Sequence, residues 1–332
     1  MAAQAMIELW RGGMLESRHL GHAVICDARG IVEAWGDPEA VIFPRSSCKM
    51  LQALPLIESG AAAASGLSDA QLALACASHN GAAIHTGMVA QWLTGLGLSE
   101  SDLRCGAHMP YDVQANKALT CSDQPPCQIH NNCSGKHSGF LTLNRHLRGG
   151  PEYVEPDHPV QQAVKAAFEE VTGEPSPGFG IDGCSAPNFA TTVHGLARAM
   201  AFFAAATGAG DARDRAAHRL TRAMAAFPEL VAGEGRSCTA LMRATGGRVA
   251  VKTGAEAVFV AIIPERGLGV ALKITDGATR ASEAAITAIL VRLGVLGAED
   301  PVVASYLSGP QKNWRGLVTG ELRLAPGFCA PR

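Results

Sequence analysis

Three short stretches of the 332-residue chain hold residue types able to break an acyl bond: Ser46-Ser47-Cys48-Lys49, Ser78-His79-Asn80 and Lys252-Thr253-Gly254. A serine alcohol is a weak nucleophile until a neighbouring base takes its proton. Lysine serves as that base only when uncharged, which requires desolvation or a second cation close by. Pro44 and Arg45 lead into a helix expected to begin near Ser46, with Met50, Leu51, Leu54 and Ile57 as its apolar stripe. Residues three apart on a helix share a face, so the Lys49 amine is expected over the Ser46 hydroxyl. Lys252, carried on a strand, is the expected second cation. The helix N-terminus adds a positive field and free N–H groups for a developing oxyanion. Ser78 and Asn80, on a loop after a helix, are expected to face the same cleft, with Ser78 relaying a proton to the leaving group. Asn80 and Thr253 are the expected substrate contacts. Each motif alone recurs by chance, with Ser78 a helix cap and Lys252 a solvated strand residue. The ordered triple favours chemistry.

A second constellation has the types that hold metal. Cys133 and Lys136 stand three apart at a predicted helix start, and Cys184 lies in a loop beside Gly183. Two thiolates and one nitrogen leave a fourth position open, the pattern of a reactive zinc site. A lysine ligand must be neutral, which is unusual. His130, Cys133 and His137 form a rival set with more ordinary ligands, and plain burial of the cysteines is a third reading. The spacing of Cys121, Cys127 and Cys133 suggests a cluster only weakly, because no fourth partner flanks it.

The elements that must position these residues read as strands at both ends around a helical middle. Met6–Trp10, Leu15–Asp27 and Ile31–Trp35 are predicted strands, as are 248–253, 257–263 and 268–274. In the last of these Leu268, Val270, Leu272 and Ile274 alternate, which predicts one buried face. Predicted helices follow Ser68 and Gln71, which form a capping box, and a similar box joins Ser99 to Asp102. Others cover 135–147, ending at Gly149-Gly150, then 160–171 capped by Asp157, 188–206, 212–226 and 278–293. The fold class is therefore α/β in the α+β sense: one antiparallel sheet built from both termini with helices packed on it. A single domain is expected, with a sheet lobe of about 1–45 and 245–332 and a mostly helical lobe of about 46–244.

Composition narrows the partners. With 47% hydrophobic and 17% charged residues the chain is globular in type. A formal charge of −2, with no run of one sign, gives no basic stripe for nucleic acid. No apolar stretch is long enough to span a membrane, and 1–13 lacks the pattern of a secretory signal. A cytoplasmic protein is expected, and its ten cysteines are expected to be free there. Asp276 with Gly277 and Arg280 reads as a turn and a helix-start ion pair. His108 and His158 read as packed histidines, and Trp10, Trp35, Trp92 and Trp314 as core or interface residues.

Sites of this S-x-x-K, S-x-N and K-T-G type are those of penicillin-binding proteins, serine β-lactamases and a serine-dependent glutaminase family. Longer stretches sharpen the likeness. Arg45-Ser46-Ser47-Cys48-Lys49 with Gln52-Ala53-Leu54-Pro55, Ala77-Ser78-His79-Asn80-Gly81, Cys105-Gly106-Ala107-His108, Asn132-Cys133-Ser134-Gly135-Lys136-His137, Asp182-Gly183-Cys184-Ser185-Ala186-Pro187 and Lys252-Thr253-Gly254-Ala255-Glu256 resemble the L-asparaginase II family of Rhizobium type. The likeness runs from about Glu8 to Gly320. It implies a serine β-lactamase or penicillin-binding-protein-like fold, a homodimer, and hydrolysis of L-asparagine with Ser46 as nucleophile and Lys49 as base. It also implies Ser78 and Lys252 as a second pair, zinc on Cys133, Lys136 and Cys184, and Cys238 close to the substrate. A glutaminase or other small-amide hydrolase, or a non-catalytic zinc-binding protein, are the alternatives. One departure stands out: relatives carry an acidic residue after the Ser78–Gly81 motif, where this chain has Ala82-Ala83.

Overall fold

The computed structural model describes residues 2–329. They divide into two compact units: one holds the chain up to Ser47, Thr192–Ala205 and everything from Ala240 onward, the other Cys48–Thr191 and Ala206–Thr239.

The first unit is an eight-stranded antiparallel sheet. Strands β1 (Gln4–Arg11), β2 (Met14–Asp27) and β3 (Gly30–Trp35) come from the N-terminal part. In spatial order the path runs Pro310–Lys312, Val318–Leu324, β1, β2, Leu268–Ile274, Val258–Ile263 and Ala250–Gly254, with β3 also paired to β2. The sheet is thus assembled from both ends of the chain, as the strand pattern predicts. Register is set by β2, whose His22–Cys26 segment pairs Lys273 back to Gly269. The alternation in Leu268–Ile274 predicts one buried face, whereas the strand is buried on both. Its other face carries the small residues Gly269 and Ala271, and the Val193–Ala205 helix lies directly on Gly269. The Thr279–Arg292 helix packs on the same strands, and its Ala288 and Val291 share a cavity wall with Leu268. A sheet covered twice loses its period-two signal.

The second unit is helical and is built around the Lys49–Glu58 helix. Eight residues of that helix are buried, from Lys49 through Leu56. The Ser134–Leu147, Pro159–Thr172 and Ala212–Ala226 helices pack against it. The Asp69–Ala75 helix starts at the expected capping box of Ser68 and Gln71. The Ser99–Asp102 box is also formed, over a short 3₁₀ turn.

Three of the differences from the sequence reading have a local cause. The segment expected as one helix over 188–206 begins as a strand, Pro187–Phe189, paired with Phe179–Ile181. Proline biases the residue before it toward extended backbone, which suits the hairpin. The Pro159–Thr172 helix is capped by the His158 imidazole, which accepts the Val160 N–H at 3.1 Å, and not by Asp157. The Ser134–Leu147 helix closes on Arg148 in the left-handed region at φ 56°, one residue before the expected glycines. Among the described residues no helix is long and apolar enough to cross a membrane.

Candidate active site

In the sheet unit, Ser46 lies in a 3₁₀ turn, Arg45–Cys48, that runs into the Lys49–Glu58 helix. Arg45 directly before it has φ 52°, a conformation uncommon for a residue with a side chain. Ser47 closes the turn: its N–H donates to Pro44 O at 3.2 Å and its hydroxyl to the same oxygen at 2.7 Å. The K-T-G strand comes against this turn. A Cβ on Gly254 would sit 2.6 Å from Pro44 O and 3.0 Å from Ser47 N, so only glycine lets the strand approach so closely. Lys252, two residues earlier, is fully buried and donates to Thr253 O at 2.7 Å. The solvated reading of Lys252 is therefore wrong. The structure brings together the turn of the first motif and the strand of the third.

In the helical unit, Lys49 is 1% exposed. Its amine donates to Ala77 O and to the Cys133 sulfur at 3.1 Å, and it pairs with no carboxylate among the described residues. Ala77 leads into the second motif. Ser78 N–H donates to Val231 O at 2.9 Å, and Asn80 O accepts from Asp112 N at 2.8 Å. Both side chains are buried. The 231–239 segment lies along this loop: a Cβ on Gly233 would fall 2.4 Å from the Asn80 side chain, and Thr239 donates to Gly233 O at 2.7 Å. Cys238 is buried on that segment.

Cys133, Lys136 and Cys184 meet in the same interior. The Lys136 amine is 3.0 Å from the Cys184 sulfur, and the Cys133 thiol, 3.1 Å from Lys49 Nζ, donates to Asn132 Oδ1 at 3.2 Å. The neighbouring Cys133, then Lys136 and His137, lower the Cys184 thiol well below its usual range, while Cys184 and burial raise Cys133. Burial works to lower the Lys136 amine, but the Cys184 and Cys133 sulfurs outweigh it and the pKa is raised.

His137 completes the lining. Tyr153, whose hydroxyl accepts the Arg104 N–H, donates to His137 Nδ1 at 2.9 Å. The network therefore places the imidazole proton on Nε2. Nε2 is buried with no hydrogen bond among the described residues, and the Cys184 sulfur faces it. The protonated His137 Nε2 offers zinc no lone pair, so Cys133, Lys136 and Cys184 are the donor types present, and zinc would have to displace the Lys136 proton to use them.

The other two metal readings do not assemble. Among the described residues no group of three His, Cys, Asp or Glu side chains is placed to hold an ion. His130 instead accepts the Cys127 N–H through Nδ1 at 3.1 Å, and Cys121 is exposed. Eight of the ten cysteines are buried and all are free. Burial, with smaller contributions from Asp182 and Cys184 respectively, pushes the Cys48 and Cys105 thiols up to about 12, which disfavours their thiolates.

Sequence reasoning passed over the groups behind these side chains. His79 Nε2 lies 3.0 Å from Ser134 Oγ, tying the second motif to the Cys133–Lys136 stretch. A Cβ on Gly135 would lie 2.4 Å from Leu74 O, so this glycine lets the two segments touch. The signal was present: polar residues inside motifs that fold as buried elements must be satisfied by one another. Ala82, in the Ala82-Ala83 pair after the second motif, is the N-cap of the Ala83–Gly95 helix and makes no side-chain cap.

A sequence model of L-asparaginase II matches residues 7–324. The chain belongs to the L-asparaginase II family. It is accordingly an asparaginase-type amidohydrolase acting on a small molecule. No curated protein matches it. Similar solved structures include Mglu in its native form, at 12% identity and TM-score 0.43, where 84% of this chain covers 65% of that one. A putative β-lactamase from Bacteroides dorei is 11% identical with TM-score 0.41, over 76% of this chain and 84% of that one. A β-lactamase from Mycobacterium bovis is 11% identical with TM-score 0.36, over 83% and 95%. These likenesses are loose, and the assignment of this family member to the α+β class stands on its own antiparallel sheet and packed helices.

Proposed function

We propose that the chain hydrolyses the side-chain amide of L-asparagine to L-aspartate and ammonia through an acyl-enzyme on Ser46. The observation that carries this reading is the contact of Gly254 with Pro44 and Ser47, which sets the Lys252 strand beside the Ser46 turn. Lys49, withdrawn from water and bonded to a carbonyl and a thiol, is the kind of amine that serves as a base. In this mechanism Lys49 takes the Ser46 proton as the hydroxyl attacks the amide carbon. Ammonia leaves with a proton delivered through Ser78 or Lys252, giving a β-aspartyl ester. Water, activated by the same base, then frees aspartate and restores Ser46. Asn80, Thr253 and Cys238 serve substrate binding. Cys133, Lys136 and Cys184 would hold a zinc ion, which when bound supplies positive charge to orient the substrate's carboxylate or amide. The enzyme works as a cytoplasmic homodimer in the same reading.

Ser46→Ala decides the matter. Ammonia release from asparagine should vanish in a variant that keeps the wild-type circular dichroism, because no other group accepts the acyl unit. A substantial residual rate would remove Ser46 from the mechanism. Glutamine measured beside asparagine fixes the side-chain length, since one methylene in a pocket changes binding by only about 1–3 kcal/mol. Faster turnover of glutamine would make the enzyme a glutaminase.

A further inference from the structure

We infer that the sheet unit holds a second small-molecule site, a cavity that takes a carboxylate on an aliphatic body. The cavity has a volume of about 550 Å³ and lies along the last turn of the Thr279–Arg292 helix. Sites that enclose small ligands are of this size. Its apolar walls come from distant stretches of the chain: Ile25 of β2, Val32 of β3, Leu268, Val291, Leu307 and Leu324. None of the residues assigned to amide hydrolysis lines it. Walls of this kind hold water poorly, and an apolar occupant removes that cost.

The charged groups in the wall select the ligand. Glu33, Arg266 and Arg292 all line the cavity. Arg292 grips Glu33 with two parallel bonds, Nη2 to Oε1 at 2.6 Å and Nε to Oε2 at 3.0 Å, and its guanidinium lies over the Trp35 ring. Each charge of that pair answers the other, and the fork fixes both side chains. Arg266, on the turn Pro264–Arg266, is placed otherwise. Its side chain makes no hydrogen bond or ion pair among the described residues, which leaves its fork of N–H donors to an incoming acceptor. Its Nη2 reaches the turn after the helix, where a Cβ on Gly294 would stand 3.3 Å away. Cys329 also lines the cavity, and burial keeps that thiol protonated by pushing it up to about 12. Two arginines against one glutamate leave the wall with a single uncompensated positive charge.

One ligand chemistry meets both features. A bare inorganic anion would pair with Arg266 and leave the apolar walls wet. A neutral hydrocarbon would cover the walls and leave the guanidinium without a counter-charge. An aliphatic carboxylate sets its two oxygens on Arg266, in the bidentate manner that guanidinium favours, and its body against Ile25 and Leu268. The walls come from β2 and β3 and from residues beyond Arg266, so an occupant ties early and late segments together and stabilises the folded sheet unit. The site does not depend on which amide the enzyme hydrolyses.

The test is isothermal titration calorimetry of the full-length chain with octanoate, octan-1-ol and acetate, with thermal melts alongside. Octanoate should bind as one molecule per chain and raise the melting temperature. Octan-1-ol, which lacks the charge, and acetate, which lacks the body, should each bind at least about tenfold more weakly. Arg266→Gln should weaken octanoate about tenfold or more and leave octan-1-ol unchanged. Leu293→Trp, which sets a larger side chain at a half-buried position of the wall, should weaken octanoate and octan-1-ol together. Equal affinity for octanoate and octan-1-ol, several octanoates per chain, or unchanged octanoate binding in folded Arg266→Gln would each overturn the proposal. The comparison of the three ligands on the unaltered chain stands even if a variant fails to fold.

Discussion

The two units keep different things in their interiors. The sheet unit buries strands such as Val258–Ile263, all six residues of which are enclosed and apolar. Lys252 is its main ionisable exception. The helical unit buries Lys49, Lys136, His79, His137, Cys133 and Cys184 around the start of one helix. Aliphatic packing needs only shape, whereas a polar interior holds together only while each proton sits on the right atom. In the proposed mechanism the sheet unit thus supplies Ser46 and Lys252, and the helical unit the other polar groups.

Four changes would break or sharpen that contrast. Lys49→Met should lower asparagine turnover by about a thousandfold, within the range of a lost general base, while the protein stays folded. A near-normal kcat would move the chemistry out of the helical interior. Leu272→Ala, in the doubly covered strand, should cost about 2–5 kcal/mol in urea unfolding and leave kcat per folded molecule unchanged. A loss of kcat without loss of stability would show that the sheet is more than a frame.

The third effect is a pH dependence in the helical unit. His79 accepts the Gly81 N–H at 3.2 Å through Nδ1, which puts its proton on the Nε2 that meets Ser134. Burial depresses its pKa well below 6.5, with His85, Lys49, His108 and His130 adding repulsion. The native state therefore refuses a proton that the unfolded chain accepts below pH 6.5. The His79 contribution is complete above that pH and falls by about 1.4 kcal/mol per unit as pH drops further, until the folded pKa is reached. Thermal melts between pH 7.5 and 5.5 should show this slope, reduced by one proton's worth in His79→Gln. Identical slopes would mean that His79 is not the titrating group. The smallest effect belongs to Trp314, which is fully exposed and reads as neither core nor a packed contact within the chain. Trp314→Ala should change unfolding free energy by less than about 0.5 kcal/mol.

Local chemistry made much of this legible. The 212–226 helix and the 268–274 strand match their predicted bounds, because length and period act through neighbours in sequence. The Ser68 box is legible for the same reason. The Pro310–Lys312 and Val318–Leu324 strands were not, since they exist through pairing with each other and with β1. Caps by His158 and Arg148 break the usual residue preferences and depend on tertiary surroundings. At the site, the motifs named the side chains but not their partners. That Lys49 meets the Cys133 thiol, or His79 the Ser134 hydroxyl, follows only from how helices pack.

A sheet whose central strand β2 lies between β1 and Leu268–Ile274 sets an order on biosynthesis. The ribosome releases β1, β2 and β3 long before Val318–Leu324 and Leu268–Ile274, so this leading sheet must wait with the edges that those strands later cover still open. Open edges invite pairing with other nascent chains. During that wait the helical unit, whose contacts are mostly completed before residue 240, can fold. A release series that halts synthesis near Gly247 should therefore yield protease-resistant helical fragments with a degraded leading hairpin, and intact hairpins only once Leu268–Ile274 has emerged.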